Sequence, residues 1–376
     1  MSDSQRLLDR FVRLCEIPSP TGSERAVADA VAGELRELGV EVVEDGTAAE
    51  ARAGSGNLLA RVPGGSDAWV MMCAHLDTVP EGGEIEVVLE DGVYRSRGDT
   101  ILGADDKAAV AVLVELAARH AGDPPPVGVE LLFTVAEEDG LRGAKAFDHG
   151  TLRSPFGFVL DHASPIGEIA VAAPTYQRLV AEFVGREAHS GIRPEDGRSA
   201  IAAAAAAIGE MRLGRLDSET TANIGVIEGG TATNVVPGRC RVEGEARSID
   251  AARSAHTIGA MVDACTWAAG ERQCDLDVEV TEVFRAYRTF RGSTALMVAK
   301  HALAACGHEP REIATGGGSD ASALRAAGYE AVLLANGTEA NHTAAESVAA
   351  HRIVEMLDVC EAIVAGVAER ARGGAD

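Results

Sequence analysis

The apolar run Val129 to Ala136 ends in two adjacent carboxylates, Glu137 and Glu138. Two other clusters carry related chemistry: His75-Leu-Asp77, and Asp105-Asp106-Lys107 just after Gly103. Imidazole and carboxylate are ligands that zinc, cobalt and manganese accept, with no thiolate needed. Adjacent glutamates can divide labour between metal ligand and general base, so the three clusters together have the composition of a two-metal hydrolytic site. The i, i+2 spacing of His75 and Asp77 puts both side chains on one face of an extended chain. Asp77 can then accept the second ring N–H of His75 and leave the other nitrogen free for metal. Asp105 and Asp106 sit between Gly103 and a helix expected to start near Lys107, where the helix dipole favours a carboxylate. A plain N-cap pair is the alternative there.

Short apolar runs bounded by turn signals must position these groups: Asn57 to Val62, Trp69 to Ala74, Val129 to Val135, Phe158 to Leu160 and Ala331 to Leu334. Runs of that length, apolar throughout, suit strands buried on both faces of a mainly parallel sheet. Leu7 to Cys15, Glu24 to Leu38, Ala108 to His120 and Ala344 to Arg372 read as the helices that cover it. Four of the five strand candidates are followed by a potential ligand: His75 and Asp77, Glu137 and Glu138, Asp161, and His342 eight residues past Leu334. A lone His or Asp in such a place is ordinarily structural. In an open parallel sheet, however, the carboxyl ends of the strands line one crevice, so groups far apart in sequence can converge.

The middle of the chain changes character. Strand candidates at Arg178 to Val184, Arg239 to Arg247 and Asp275 to Val283 alternate polar with apolar residues, as in an antiparallel sheet with one wet face. Helical stretches at Ser199 to Met211 and Ala251 to Ala269 lie between them, the first containing the alanine run 202 to 207. The order β-α-β-β-α-β is ferredoxin-like. The expected organisation is an α/β domain over residues 1–173 and 289–376, with a mainly parallel sheet, and an inserted α+β domain over 174–288.

At 376 residues the chain exceeds the length at which one core usually keeps growing. Its 58 acidic residues against 34 basic ones give a formal charge of −24, which repels phosphate backbones and anionic lipid. No nucleic-acid or membrane partner is expected. No leader-like segment opens the chain, and no apolar segment approaches the roughly 20 residues that span a bilayer, so a soluble, cytoplasmic protein is expected. Seven widely spaced cysteines, Cys15, Cys73, Cys240, Cys265, Cys274, Cys306 and Cys360, form neither a disulfide framework nor a CxxC site.

Five segments carry a resemblance: Cys73-Ala-His75-Leu-Asp77-Thr-Val-Pro80, Leu102-Gly-Ala-Asp105-Asp106-Lys107, Thr134-Val-Ala-Glu137-Glu138-Asp-Gly-Leu-Arg-Gly-Ala-Lys145, Gly317-Gly-Ser-Asp320-Ala and Asn341-His342-Thr-Ala-Ala-Glu346. In order and in motif they resemble the M20 metallopeptidase family, most closely its peptidase T and peptidase T-like branch, from about residue 5 to 370. The resemblance implies a zinc-binding α/β domain with an inserted lid that dimerises. By motif, His75 and Asp161 would hold one zinc ion and Glu138 and His342 the other, with cobalt or manganese as substitutes. Asp105 would bridge them, because the family's Asp-any-Lys pattern is met by Asp105-Asp106-Lys107. Asp77 would orient His75, and Glu137 would be the general base. Ala188-His189-Ser-Gly191 resembles the lid motif whose histidine stabilises the oxyanion, in some relatives across a dimer. Gly229 to Asn234 resembles the motif whose Asn approaches substrate, and Glu245-Ala-Arg247 one whose Arg takes a substrate carboxylate.

The activity implied is a dinuclear zinc exopeptidase that trims short peptides such as tripeptides from the amino end. An N-acyl amino acid deacylase or a carboxypeptidase would use the same site. A non-catalytic, metal-stabilised dimer that binds peptides would not require Glu137. Only 4% of the residues are aromatic, which points to a pocket for small or polar groups.

Overall fold

In the computed structural model, which describes residues 3–373, the apolar runs become strands of one large sheet. Its central order is Glu41–Glu44, Leu58–Val62, Gly128–Thr134, Trp69–His75, Phe156–His162, Glu330–Ala335 and Glu168–Ala173. Trp69–His75 runs parallel to both Gly128–Thr134 and Phe156–His162, and Glu330–Ala335 parallel to Phe156–His162. Four strands therefore end on the same edge. Leu58–Val62 and Glu168–Ala173 run antiparallel at the flanks, which makes the sheet mixed.

Both faces of this sheet are covered, as continuously apolar strands require. Val70, Met72 and Ala74 join one cluster of buried residues, whereas Met71 and Cys73 join another on the opposite face. On the first side the helix Ala104–His120 is buried along nearly its whole length, and Asp3–Cys15, Arg25–Glu37 and Ala350–Gly373 pack around it. A helix apolar all round has no wet face to offer and must lie inside. The buried charge in its middle, Glu115, is met by Arg6 and Arg10.

The C-terminal helix begins at Ala350 and not at Ala344, because Ser347–Ala349 is taken up as a strand against Val93–Ser96. That pair belongs to a small four-stranded sheet with Val87–Glu90 and Thr338–Glu339, elements the sequence pattern does not signal.

The chain divides into two compact units. The first runs to Val171 and resumes over Arg288–Ala314 and from Ser319 onward; the second is Ala172–Tyr287 with Thr315–Gly318. In the second unit the strands Thr175–Val184, Thr220–Gly229, Arg239–Ser248 and Asp275–Phe284 form an antiparallel sheet. Their spatial order, with Thr220–Gly229 beside Arg239–Ser248, then Thr175–Val184, then Asp275–Phe284, is the ferredoxin-like one. Thr220–Gly229 is the fourth strand that the β-α-β-β-α-β pattern requires. The helices Ala200–Glu210 and Ala251–Arg272 pack on the sheet, where Ala203, Ala204 and Ala207 are fully buried. Ser199 caps the first helix by accepting from Ala202 N. Thr315–Gly318 joins this unit through Thr315 N, which donates to Ala172 O at 2.9 Å, and Gly316 O, which accepts from Arg247 at 3.2 Å.

Candidate active site

The shared edge of the four parallel strands brings His75, Glu137, Glu138 and Asp161 together, and the loops beyond add Asp105 and His342. His75 is the last residue of its strand and is buried. Its Nε2 lies 3.3 Å from Asp105 Oδ1 and 3.6 Å from Asp161 Oδ1. His342 Nε2 lies 3.1 Å from Asp105 Oδ2 and 2.9 Å from Glu138 Oε1. Asp105 thus stands between the two imidazoles, one oxygen toward each.

Asp106 has other partners. Its buried carboxylate accepts from His75 N and Asn336 Nδ2, both at 3.4 Å, although one of its oxygens still lies within 4.8 Å of oxygens of Asp105 and Asp161. The peptide bond between the two aspartates is cis, and both have non-helical backbone angles, so the regular helix follows them.

Asp77 acts differently from the sequence expectation. His75 Nδ1 is 2.9 Å from the main-chain carbonyl of Asp77 but 3.7 Å from its carboxylate. The ring is therefore oriented by a backbone oxygen, leaving Nε2 to face the carboxylates. The Asp77 carboxylate instead accepts from Glu137 N at 2.9 Å, Glu138 N at 3.2 Å and Thr21 Oγ1 at 2.7 Å. The chain reverses just before those glutamates at Ala136, whose φ of +50° is in the left-handed region. Two of these contacts hold that turn, and the one from Thr21 anchors the carboxylate.

The electrostatics reflect more carboxylates than positive charge in a largely buried cluster, with His342 half exposed at its rim. Burial, reinforced by Asp161, pushes the Glu137 carboxyl well above the usual range. Burial also pushes Asp161 up to about 8. His342 is pushed up to about 10 by the Asp105 and Glu138 carboxylates close to its Nε2. Burial alone would raise Asp105, but its contacts with His342 and His75 hold it below its ordinary value.

The donor set fits metal. Asp105 Oδ1 and Glu138 Oε1 are buried and make no hydrogen bond, although an imidazole nitrogen lies close to each. Shielded oxygen lone pairs beside imidazole nitrogens are what a divalent cation satisfies. Ligand atoms of His75, Asp105 and Glu138 lie within 4.8 Å of one another, as do those of His75, Glu137 and Asp161.

The other three expected residues belong to the second unit. His189 bridges to Val235, and Ser190 N donates to Asn234 O at 3.0 Å, so His189 and Asn234 sit on adjoining segments. Arg247 is paired with Glu245 at 3.0 Å and stacks 4.3 Å over the Tyr176 ring. Two buried acids had no sequence-derived role. Asp320 accepts from Thr134 Oγ1, and Glu346 accepts three main-chain N–H groups. Both stand inside quoted motifs, but their partners are more than 180 residues away, which no local pattern reveals.

Residues 176–273 match the family profile of a peptidase dimerisation domain, M20_dimer. Residues 57–164, which hold five of the six clustered groups, match that of peptidase family M28. An uncharacterized protein of Bacillus subtilis (strain 168), YqjE, is 37% identical over 99% of this chain and 100% of its own. The crystal structure of aminopeptidase PepT from Bacillus cereus ATCC 10987 superposes with a TM-score of 0.85 at 38% identity, covering 97% of this chain and 99% of the other. A tripeptidase from Staphylococcus aureus superposes with a TM-score of 0.91 at 32% identity over the same shares. Likeness of this extent, spanning nearly the whole chain, shows that the chain belongs to the M20 family of metallopeptidases and is a hydrolase.

Proposed function

We propose that this chain is a dinuclear zinc aminopeptidase that removes the N-terminal residue from short peptides such as tripeptides. The observation that carries the reading is the placement of Asp105 between His75 and His342, with Glu138, Asp161 and Glu137 in the same buried cluster. The similarity to PepT and to a tripeptidase favours the amino end as the point of attack.

When bound, two divalent cations supply a lowered pKa for the attacking water and polarise the scissile carbonyl. His75 and Asp161 would hold one, Glu138 and His342 the other, with Asp105 shared. Glu137 takes the proton from the attacking water and returns it to the departing amine, a task suited to a carboxyl whose pKa burial has raised. Asp77 keeps Glu137 in place through its main chain. His189, Asn234 and Arg247 are the second unit's candidate substrate contacts. Arg247 stacks on Tyr176 and gives its Nε and Nη2 to Glu245 and its Nη1 to Gly316 O, so a peptide carboxylate would bind its planar fork by displacing Glu245.

A homodimer through the second unit is supported by its match to a dimerisation domain. A reducing, cytoplasmic setting is supported by seven free cysteines. Among the described residues no helix is long and apolar enough to cross a membrane.

The test is product analysis of zinc- or cobalt-loaded protein, beside a chelator-treated control, on free di- and tripeptides and their N-acetylated forms. Chelator-sensitive release of the N-terminal residue from free tripeptides is expected. Attack on the acetylated set alone would assign a deacylase, and release from the carboxyl end a carboxypeptidase.

A further inference from the structure

The loop that delivers Asp105 turns through Gly103 at φ +72° and points its main-chain N–H groups inward. All three donors are met by one side chain. Leu102 N and Gly103 N donate to Glu346 Oε2 at 2.8 and 2.9 Å, and Asp105 N donates to Oε1 at 2.9 Å. Glu346 is only 2% exposed.

Glu346 also closes the turn that carries His342. Its own N–H donates to Thr343 O at 3.1 Å, and Thr343 Oγ1 donates to Ala340 O at 2.7 Å. His342 itself sits at φ +65°, held by this bracing. The next residues, Ser347–Ala349, are registered strand against strand with Val93–Arg95. One carboxylate therefore ties the backbone of Asp105 to the turn that presents His342, and these two side chains meet at 3.1 Å.

We infer that Glu346 is a positioning residue that sets Asp105 against His342, so that both halves of the metal centre keep one spacing. Ligand distances in such centres hold within about 0.2 Å. A small drift of either backbone would therefore be felt as metal affinity. The inference rests on the dinuclear reading above.

The test is Glu346→Gln in the full chain, titrated calorimetrically with Zn2+ against a competing chelator, beside melting of the metal-free forms. Gln keeps the shape but turns one acceptor oxygen into an NH2 that opposes a main-chain N–H. The unaltered chain is expected to bind two ions. In the variant one of them should bind about tenfold more weakly or worse, the usual scale for removing an outer partner of a ligand. Melting that falls while both affinities stay unchanged marks a purely structural role and overturns the proposal. Should Glu346→Gln not fold, Glu346→Asp carries the same criterion, since it keeps the charge and shortens the reach; failure of both to fold also overturns it. Fewer than two ions on the unaltered chain would instead sink the dinuclear reading, and that result is read without any variant.

Discussion

The Asp77 carboxylate reaches past His75 and holds the main-chain N–H of Glu137, 2.9 Å from Oδ1. A carboxylate expected from sequence spacing to orient a ligand steadies the proposed base instead. Asp77→Asn keeps the shape but replaces one acceptor with a donor beside Glu137 N or Glu138 N. We expect kcat to fall about 10- to 100-fold, the scale seen for outer-shell partners, with metal content largely kept. Kinetics and metal analysis on the same preparation decide it. Loss of metal with normal turnover per bound metal would remove the Asp77 carboxylate from positioning Glu137.

Glu137→Gln should retain metal, because in the proposed ligand set Glu137 is not a ligand. Its kcat should drop about 10²- to 10⁴-fold, as expected when a general base is removed. Turnover at the wild-type rate would remove Glu137 from the chemistry.

Glu115 is fully buried between Arg10 and Arg6, with Arg10 Nη1 2.5 Å from Oε2. Glu115→Gln leaves the buried Arg10 charge opposed only by Glu34. Breaking such a pair costs roughly 3–5 kcal/mol. Calorimetric melting should show a loss of several degrees in Tm, with kcat per folded molecule unchanged.

His120 bridges Glu361, 3.0 Å from Nε2, and the Asp123 carbonyl, and the Glu361 hydrogen bond raises its pKa above the ordinary 6.5. A raised folded-state value stabilises fully below the unfolded pKa and is lost as pH rises through the folded one. Tm should therefore carry a small contribution at pH 6 that fades toward alkaline pH. For a partly exposed pair it should stay under about 1 kcal/mol. Glu361→Gln should flatten this component of the melting profile.

Much of the site follows from the linear sequence. His75, Glu137, Glu138 and Asp161 lie in or directly after apolar strands, so a parallel sheet obliges them to share an edge, and the alternation and helix order of the inserted domain follow from local periodicity. Tertiary structure decided the rest. The adjacent aspartates have the same local propensity, yet Asp105 faces two imidazoles while Asp106 faces Asn336 and the His75 backbone. The strand Ser347–Ala349 displaced the start of an expected helix because Val93–Ser96 offered it a partner. The three donors gathered by Glu346 come from residues some 240 positions away. Periodicity and capping are written in neighbouring residues because they act over a few bonds. A carboxylate's choice of partner depends on which distant backbone the fold brings within 3 Å, and no local pattern encodes that.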